Sequence, residues 1–153
     1  MDKPSIIIRR HPYEEPYNLH LELFVSNGRF SCAGDIYVAA DDLAEIGRGL
    51  SDFPQQVPDE YIFEHGSEDP TERFYRHFRL RAYTVGRRGQ CAIEFRMNLN
   101  EKPPAQGIAE FSIELEAAPL NRLGSLFGRF RRLEHLEFKW TSSDDEMLLQ
   151  HQI

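Results

Sequence analysis

Lysine is nearly missing from this sequence. Only three of its 18 basic residues are lysines, Lys3, Lys102 and Lys139, and such a preference for arginine points to a GC-rich bacterial genome. Cysteine is scarce too. Cys32 and Cys91 have no CxxC spacing and fall on inward positions of strand patterns, so they read as small core residues rather than a disulfide framework, a redox pair or a metal site. No apolar run approaches the ~20 residues that span a bilayer, which excludes a helical membrane protein. The segment Ile6-Ile7-Ile8 before Arg9-Arg10 is too short for a secretory signal and no cleavage motif follows, so a cytoplasmic location is expected. Positive charge is in deficit as well, with a net charge of −7 and an isoelectric point near 5.4. That balance argues against a duplex nucleic-acid binder, whose phosphate contacts demand a basic surface, and leaves a basic protein as the complementary partner.

What is present fits one globular domain. The chain has 153 residues, 41% hydrophobic and 28% charged, enough to bury a core without disulfides or metals. A single domain over 1–153 is expected, with its core at about 17–140 and residues 1–16 and 141–153 peripheral. The stretch His11-Pro12-Tyr13-Glu14-Glu15-Pro16 reads as a loop, because proline fixes φ and removes a donor.

Three consecutive antiparallel strands are written in the stretch from Phe74 to Ala117. Inward positions alternate with polar ones: Phe74, Phe78, Leu80 and Ala82, then Cys91, Ile93, Phe95, Met97 and Leu99, then Ala109, Phe111, Ile113, Leu115 and Ala117. With Gly86 to Gly89 as the first loop, the register pairs Val85 with Gln90, Ala82 with Ile93, Leu80 with Phe95 and Phe78 with Met97. On the wet face the same register sets Arg81 opposite Glu94, and Arg79 opposite Arg96, a like pair that needs relief from Glu94 and from Glu110, Glu114 or Glu116.

Earlier in the chain, Leu19, Leu21, Leu23 and Val25 alternate inward, Asn27-Gly28 marks a type I′ hairpin, and Phe30, Cys32, Gly34, Ile36 and Val38 return. A helix follows with Leu43, Ile46, Leu50 and Phe53 on one face, Asp41 or Asp42 to cap it and Pro54 past its end. A short strand is expected over Glu60 to Glu64, then the polar segment Gly66-Ser67-Glu68-Asp69-Pro70. After the three strands, Pro119 starts a second helix with Leu120, Leu123, Phe127 and Phe130 inward, and Leu136, Phe138 and Trp140 mark a last strand. The fold class is therefore α+β: a mostly antiparallel sheet of six or seven strands, in the order β-β-α-β-β-β-β-α-β, with two helices packed on one face.

Chemical motifs fail their context tests. The histidines at 11, 20, 65, 77, 135 and 151 make no HxH, HxxxH or HExxH spacing, so no metal site is expected, and no cofactor is implied. Gly124-Ser125 lies inside a helix rather than at a nucleophile elbow. Gly86-Arg87-Arg88-Gly89 has no helix N-terminus behind it and reads as a hairpin turn. The cations of Arg129-Phe130-Arg131-Arg132 are accounted for by the helix C-terminus they form, with an anionic partner as the alternative. No catalytic residue is assigned. The candidate binding face is the wet side of the central strands: Tyr75, His77, Arg79, Arg81 and Tyr83, with Glu94 and Arg96 beside them, since arginine and tyrosine are enriched at interfaces.

The pattern Gly28-Arg29-Phe30 with Asp35-Ile36-Tyr37-Val38, then Asp42-Leu43 through Leu50 to Phe53-Pro54, resembles small bacterial α+β families, some of which are similar to immunity proteins of polymorphic toxin systems. The resemblance implies a non-enzymatic protein that binds a macromolecule, an immunity-type inhibitor whose acidic surface meets a basic toxin domain; it carries over no site residue. The alternative is a small-ligand-binding domain or enzyme with its site between sheet and helices. An exposed sheet edge also allows a homodimer.

Overall fold

A computed structural model describes residues 3–148 as nine strands and two helices. The class is α+β and every strand pairing is antiparallel, as the alternation implies, but the strands form two sheets rather than one. The five-stranded sheet contains β1 (Ser5–His11), β2 (Leu19–Ser26), β3 (Ser31–Val38), β8 (Glu137–Thr141) and β9 (Asp145–Leu148), in the order β3-β2-β1-β8-β9. The four-stranded sheet is a meander of β4 (Glu60–His65), β5 (His77–Val85), β6 (Gln90–Asn98) and β7 (Ile108–Leu115).

The expected register of the central hairpin is the observed one. Phe78 faces Met97, Leu80 faces Phe95, Ala82 faces Ile93 and Val85 faces Gln90. Gly86 and Gly89 take φ of +70° and +81°, values that bar most side chains and fix the turn. The first hairpin differs. Ser26 pairs with Ser31, so four residues turn rather than two. The Asn27 side chain accepts from the backbone N–H of Arg29 at 2.9 Å and of Phe30 at 2.8 Å, a turn built by an amide rather than by a type I′ dipeptide. Phe30 therefore leaves the strand and stands exposed, and Phe74, expected inward, lies in the 66–76 loop, also exposed.

The expectation that residues 1–16 are peripheral is corrected. Ile6 and Ile8 are buried to 1% exposure or less, and β1 is the middle strand of its sheet, paired with β2 on one side and β8 on the other. Residues 145–148 also belong to the sheet, as its edge strand β9; the rest of the expected tail, 149–153, lies outside the described residues.

Helix α1 (Ala40–Ser51) is held at its start by Asp42, whose carboxylate accepts the Ala39 N–H at 2.9 Å. Helix α2 (Ala117–Phe130) begins two residues before Pro119. The helices cross on small residues. A Cβ on Gly124 would stand 2.6 Å from the Ser51 nitrogen, and one on Gly47 would stand 3.0 Å from the Gly128 nitrogen. Asn121 of α2 donates to the carbonyls of Leu50 and Phe53, supplying partners for the end of α1. Neither helix is long and apolar enough to cross a membrane. Their apolar faces join the inner faces of both sheets in one core: α1 touches β4, and α2 touches β6 of one sheet and β8 of the other, where the Trp140 indole donates to the Pro119 carbonyl at 3.0 Å.

Candidate functional site

The outer face of the four-stranded sheet is a grid fixed by register. Across β4, β5, β6 and β7, one row reads Glu60, Tyr83, Ala92, Glu114; the next Ile62, Arg81, Glu94, Ser112; the next Glu64, Arg79, Arg96, Glu110. Arginines occupy the middle strands together with Glu94, and the other glutamates the two edges. The distances show why the like pair is tolerated. Arg79 Nη2 donates to Glu94 at 2.7 Å and lies 3.5 Å from Glu110, while Arg96 pairs with Glu110 from its other side. Arg81 bonds Glu60 and lies over the Tyr83 ring at 4.1 Å, and the Tyr83 hydroxyl meets Ser112 Oγ at 3.3 Å.

Arg79, Arg81, Tyr83, Glu94 and Arg96 are thus brought together on one face as expected. Tyr75 and His77 are not on it in the way the alternation suggests. His77 opens β5 with its side chain on the outer side, but it is only 4% exposed. Its Nε2 lies 2.7 Å from Glu64 and its Nδ1 3.3 Å from Glu68, a residue of the 66–76 loop that closes over it. Tyr75 precedes the strand altogether. Its hydroxyl donates to Asp35 of β3 at 3.0 Å, and its ring lies beneath the Arg76 guanidinium at 3.9 Å.

Glu68 is the member of the site that the alternation could not place. It accepts from Arg96 through both carboxylate oxygens and also from Asn98. The Arg96 bonds, then the Asn98 bond, bring its pKa down to about 2. In turn Glu68 raises the pKa of Arg96, with Glu110 adding to it. The only signal in the sequence was an acidic residue in a polar loop.

A second polar cluster joins the two sheets. Asp35 receives His20 Nε2 at 2.9 Å, the Tyr75 hydroxyl, and Arg76 at 3.4 Å. Burial works to raise its pKa, but the bonds from His20 and Tyr75 and the charge of Arg76 outweigh it, and the carboxyl is held below the usual range. His11, His20, Tyr37 and Tyr75 make successive ring contacts of 5.2, 4.5 and 5.6 Å across this side. Among the described residues, no three His, Cys, Asp or Glu side chains gather as a metal-binding set.

Between the sheets lies a void of only about 10 Å³, lined by Leu23, Val25, Phe78, Phe95, Met97 and neighbours, about the space of a single water. Larger openings are on the surface. One, of about 690 Å³, lies between the 66–76 and 99–107 loops and is lined by Phe74, Tyr75 and Ile108 with Arg73 and Lys102.

No protein-family model matches the chain, and no curated protein matches it. Among solved structures, the plant transcriptional regulator PBF-2 aligns over 86% of this chain and 76% of that one, at 10% identity and a TM-score of 0.45. A likeness of that degree assigns neither partner nor activity.

Proposed function

We propose that the protein acts without catalysis, by binding another macromolecule, as an immunity-type inhibitor whose acidic sheet face meets a basic protein domain. The observation that carries this reading is the arrangement of charge on the four-stranded sheet. Arg79, Arg81 and Arg96 are each already neutralised, and Glu60, Glu64, Glu68, Glu94, Glu110 and Glu114 outnumber them, leaving an acidic surplus displayed at both edges. Internal pairing holds the side chains in place before a partner arrives, which lowers the ordering cost of binding. The surplus speeds encounter with a basic surface. A grid of four strands covers roughly 400 Å², about half of what one partner contributes to a standard interface, so the adjoining 66–76 loop belongs to the contact as well.

Affinity capture on the tagged chain tests this reading, with the Glu60→Gln/Glu64→Gln/Glu110→Gln/Glu114→Gln variant in parallel. A single stoichiometric basic protein is expected on the wild type at ~0.15 M salt, eluting as salt rises and missing from the variant. Equal recovery on both removes the sheet face. The small-ligand alternative rests on the loop cleft of about 690 Å³, a volume within the range of ligand sites. A small molecule released on denaturation, with no protein captured, favours it.

A further inference from the structure

The arginines that close α2 do more than follow a helix end. In the fold, Arg48 of α1 joins Arg129, Arg131 and Arg132 around one open cleft of about 780 Å³ between the helices, and Asp52 is the one carboxylate among the residues lining it. Arginines packed on the sheets are matched: Arg9 by Glu137, Arg10 by Glu15, Arg76 by Asp35, and those of the outer face by glutamates. Here only Arg129 has a carboxylate in reach, Asp145 at 3.8 Å; among the described residues Arg48, Arg131 and Arg132 have no ion-pair partner. An acidic protein has gathered unmatched positive charge around one shallow, open depression.

Gly128 is the second observation. Glycine inside a helix costs roughly 1 kcal/mol relative to alanine. At Gly47 and Gly124 close helix packing explains the residue, because an added Cβ would meet the backbone of the opposite helix. At Gly128 an added Cβ would meet nothing within 4 Å, and its φ is not in the left-handed region. Contact of its own side-chain position with a neighbour does not account for that glycine. Its effect is to strip the floor of the cleft, where an outside chain can approach the helix backbone closely.

We propose that this cleft is a docking site for an extended acidic peptide segment of a partner protein, lying across Gly128 with its carboxylates paired to the surrounding guanidiniums. The helical part of the lining runs over residues 44–51 of α1 and 124–130 of α2, six to seven helical steps or about 10 Å, room for about three residues of extended chain. Guanidinium forks match carboxylates in bidentate fashion, and four of them lining one opening suit a ligand with several charges. A compact inorganic anion would engage one or two and make no use of the bare floor. The site shares no residue with the acidic sheet face, so the two readings stand or fall separately.

The test is fluorescence anisotropy of a labelled octaglutamate peptide with the full chain at low salt. Wild type is expected to bind saturably below about 1 mM despite its net negative charge. Arg131→Glu/Arg132→Glu and Gly128→Leu are each expected to weaken binding tenfold or more. The matched change Arg87→Glu/Arg88→Glu, in the β5–β6 turn, should leave it within twofold. Gly128→Leu alters no charge, so its loss separates a shaped site from general attraction; if thermal melts show it unfolded, Ser125→Leu, an equally uncharged change at an exposed residue of the same lining, takes its place. Absence of saturable binding, an unaffected Gly128→Leu, or an equal loss in the turn variant overturns the proposal. So does displacement of the peptide by equimolar tripolyphosphate, which marks a compact-anion site, or self-association abolished by Arg131→Glu/Arg132→Glu without peptide binding, which marks a second copy as the occupant.

Discussion

The Glu68 carboxylate lies across the Arg96 guanidinium, Oε1 accepting from Nε at 3.0 Å and Oε2 from Nη2 at 2.8 Å. Through this pair the 66–76 loop is fastened to β6 and laid over His77, so one carboxylate sets the border of the candidate face.

Acid should remove the stability that fastening contributes. Because the folded pKa of Glu68 is depressed to about 2 from an ordinary value of 4.5, its contribution is present above the ordinary carboxylate value and is lost as pH falls through the window between the two. Thermal melts between pH 7 and pH 2 are expected to show a shallower acid decline for Glu68→Gln than for wild type, with the two curves converging near the acid end. Parallel curves would show that the clamp contributes nothing to folding.

Two glycines one helical turn apart should respond in opposite directions. Gly124→Ala drives a methyl into the α1 backbone, 2.6 Å from the Ser51 nitrogen, and is expected to cost about 1–3 kcal/mol. Gly128→Ala places its methyl in open space and should be neutral or stabilising by up to ~1 kcal/mol. Urea unfolding with unchanged m-values measures both. Equal destabilisation would mean that the helix crossing depends on Gly128 after all.

The contrast between well-read and misread segments follows from how far their information reaches. The β5–β6 register could be read because alternation, a glycine-bounded turn and complementary inward residues are local, and they agree. The strand holding Ile6 and Ile8 could not, since its pairing with Phe138 and Trp140 joins opposite ends of the chain and three isoleucines do not name a partner. Nor could the division into two sheets, because alternation marks which side of a strand is inward but not which other sheet covers it. His77 shows the same gap at the site. Its position on the outer side was legible, yet the carboxylate of Glu68, in the preceding loop, decides that it is covered. Period alone places Tyr75 on the sheet, whereas Asp35 on a different sheet sets its position.

Arg10 is expected to be among the least replaceable charged residues. It is 3% exposed, donates to the carbonyls of His135 at 2.9 Å and Leu133 at 3.0 Å, and is paired with Glu15. Arg10→Ala leaves the partly buried Glu15 carboxylate and two carbonyls without their donor, and should cost about 3 kcal/mol or more. Arg10→Lys keeps the charge but lacks the fork that reaches three acceptors, so it should recover only part of that. Full recovery by lysine in denaturant titrations would show that charge alone, and not guanidinium geometry, holds the N-terminal strand to the loop after α2.

The Asp35–Tyr75 bond should behave as a latch between the sheets. Tyr75 and Arg76 enter β5 of one sheet, while Asp35 and His20 belong to the other, so the cluster resists separation of the two layers. Removing the hydroxyl with Tyr75→Phe and the charge with Asp35→Asn should each destabilise by about 1–2 kcal/mol, between a typical net hydrogen bond and one to a charged group, because this bond is exposed. Because they share one bond, the double variant should lose less than the sum, with a coupling of about 0.5–2 kcal/mol in urea titrations. Arg76 still faces the substituted amide in that background, so the residual loss reports its share of the latch. Strict additivity would show that Tyr75 is held by Arg76 stacking alone, and that the loop bearing Phe74 can leave the Asp35 side without loosening the sheets.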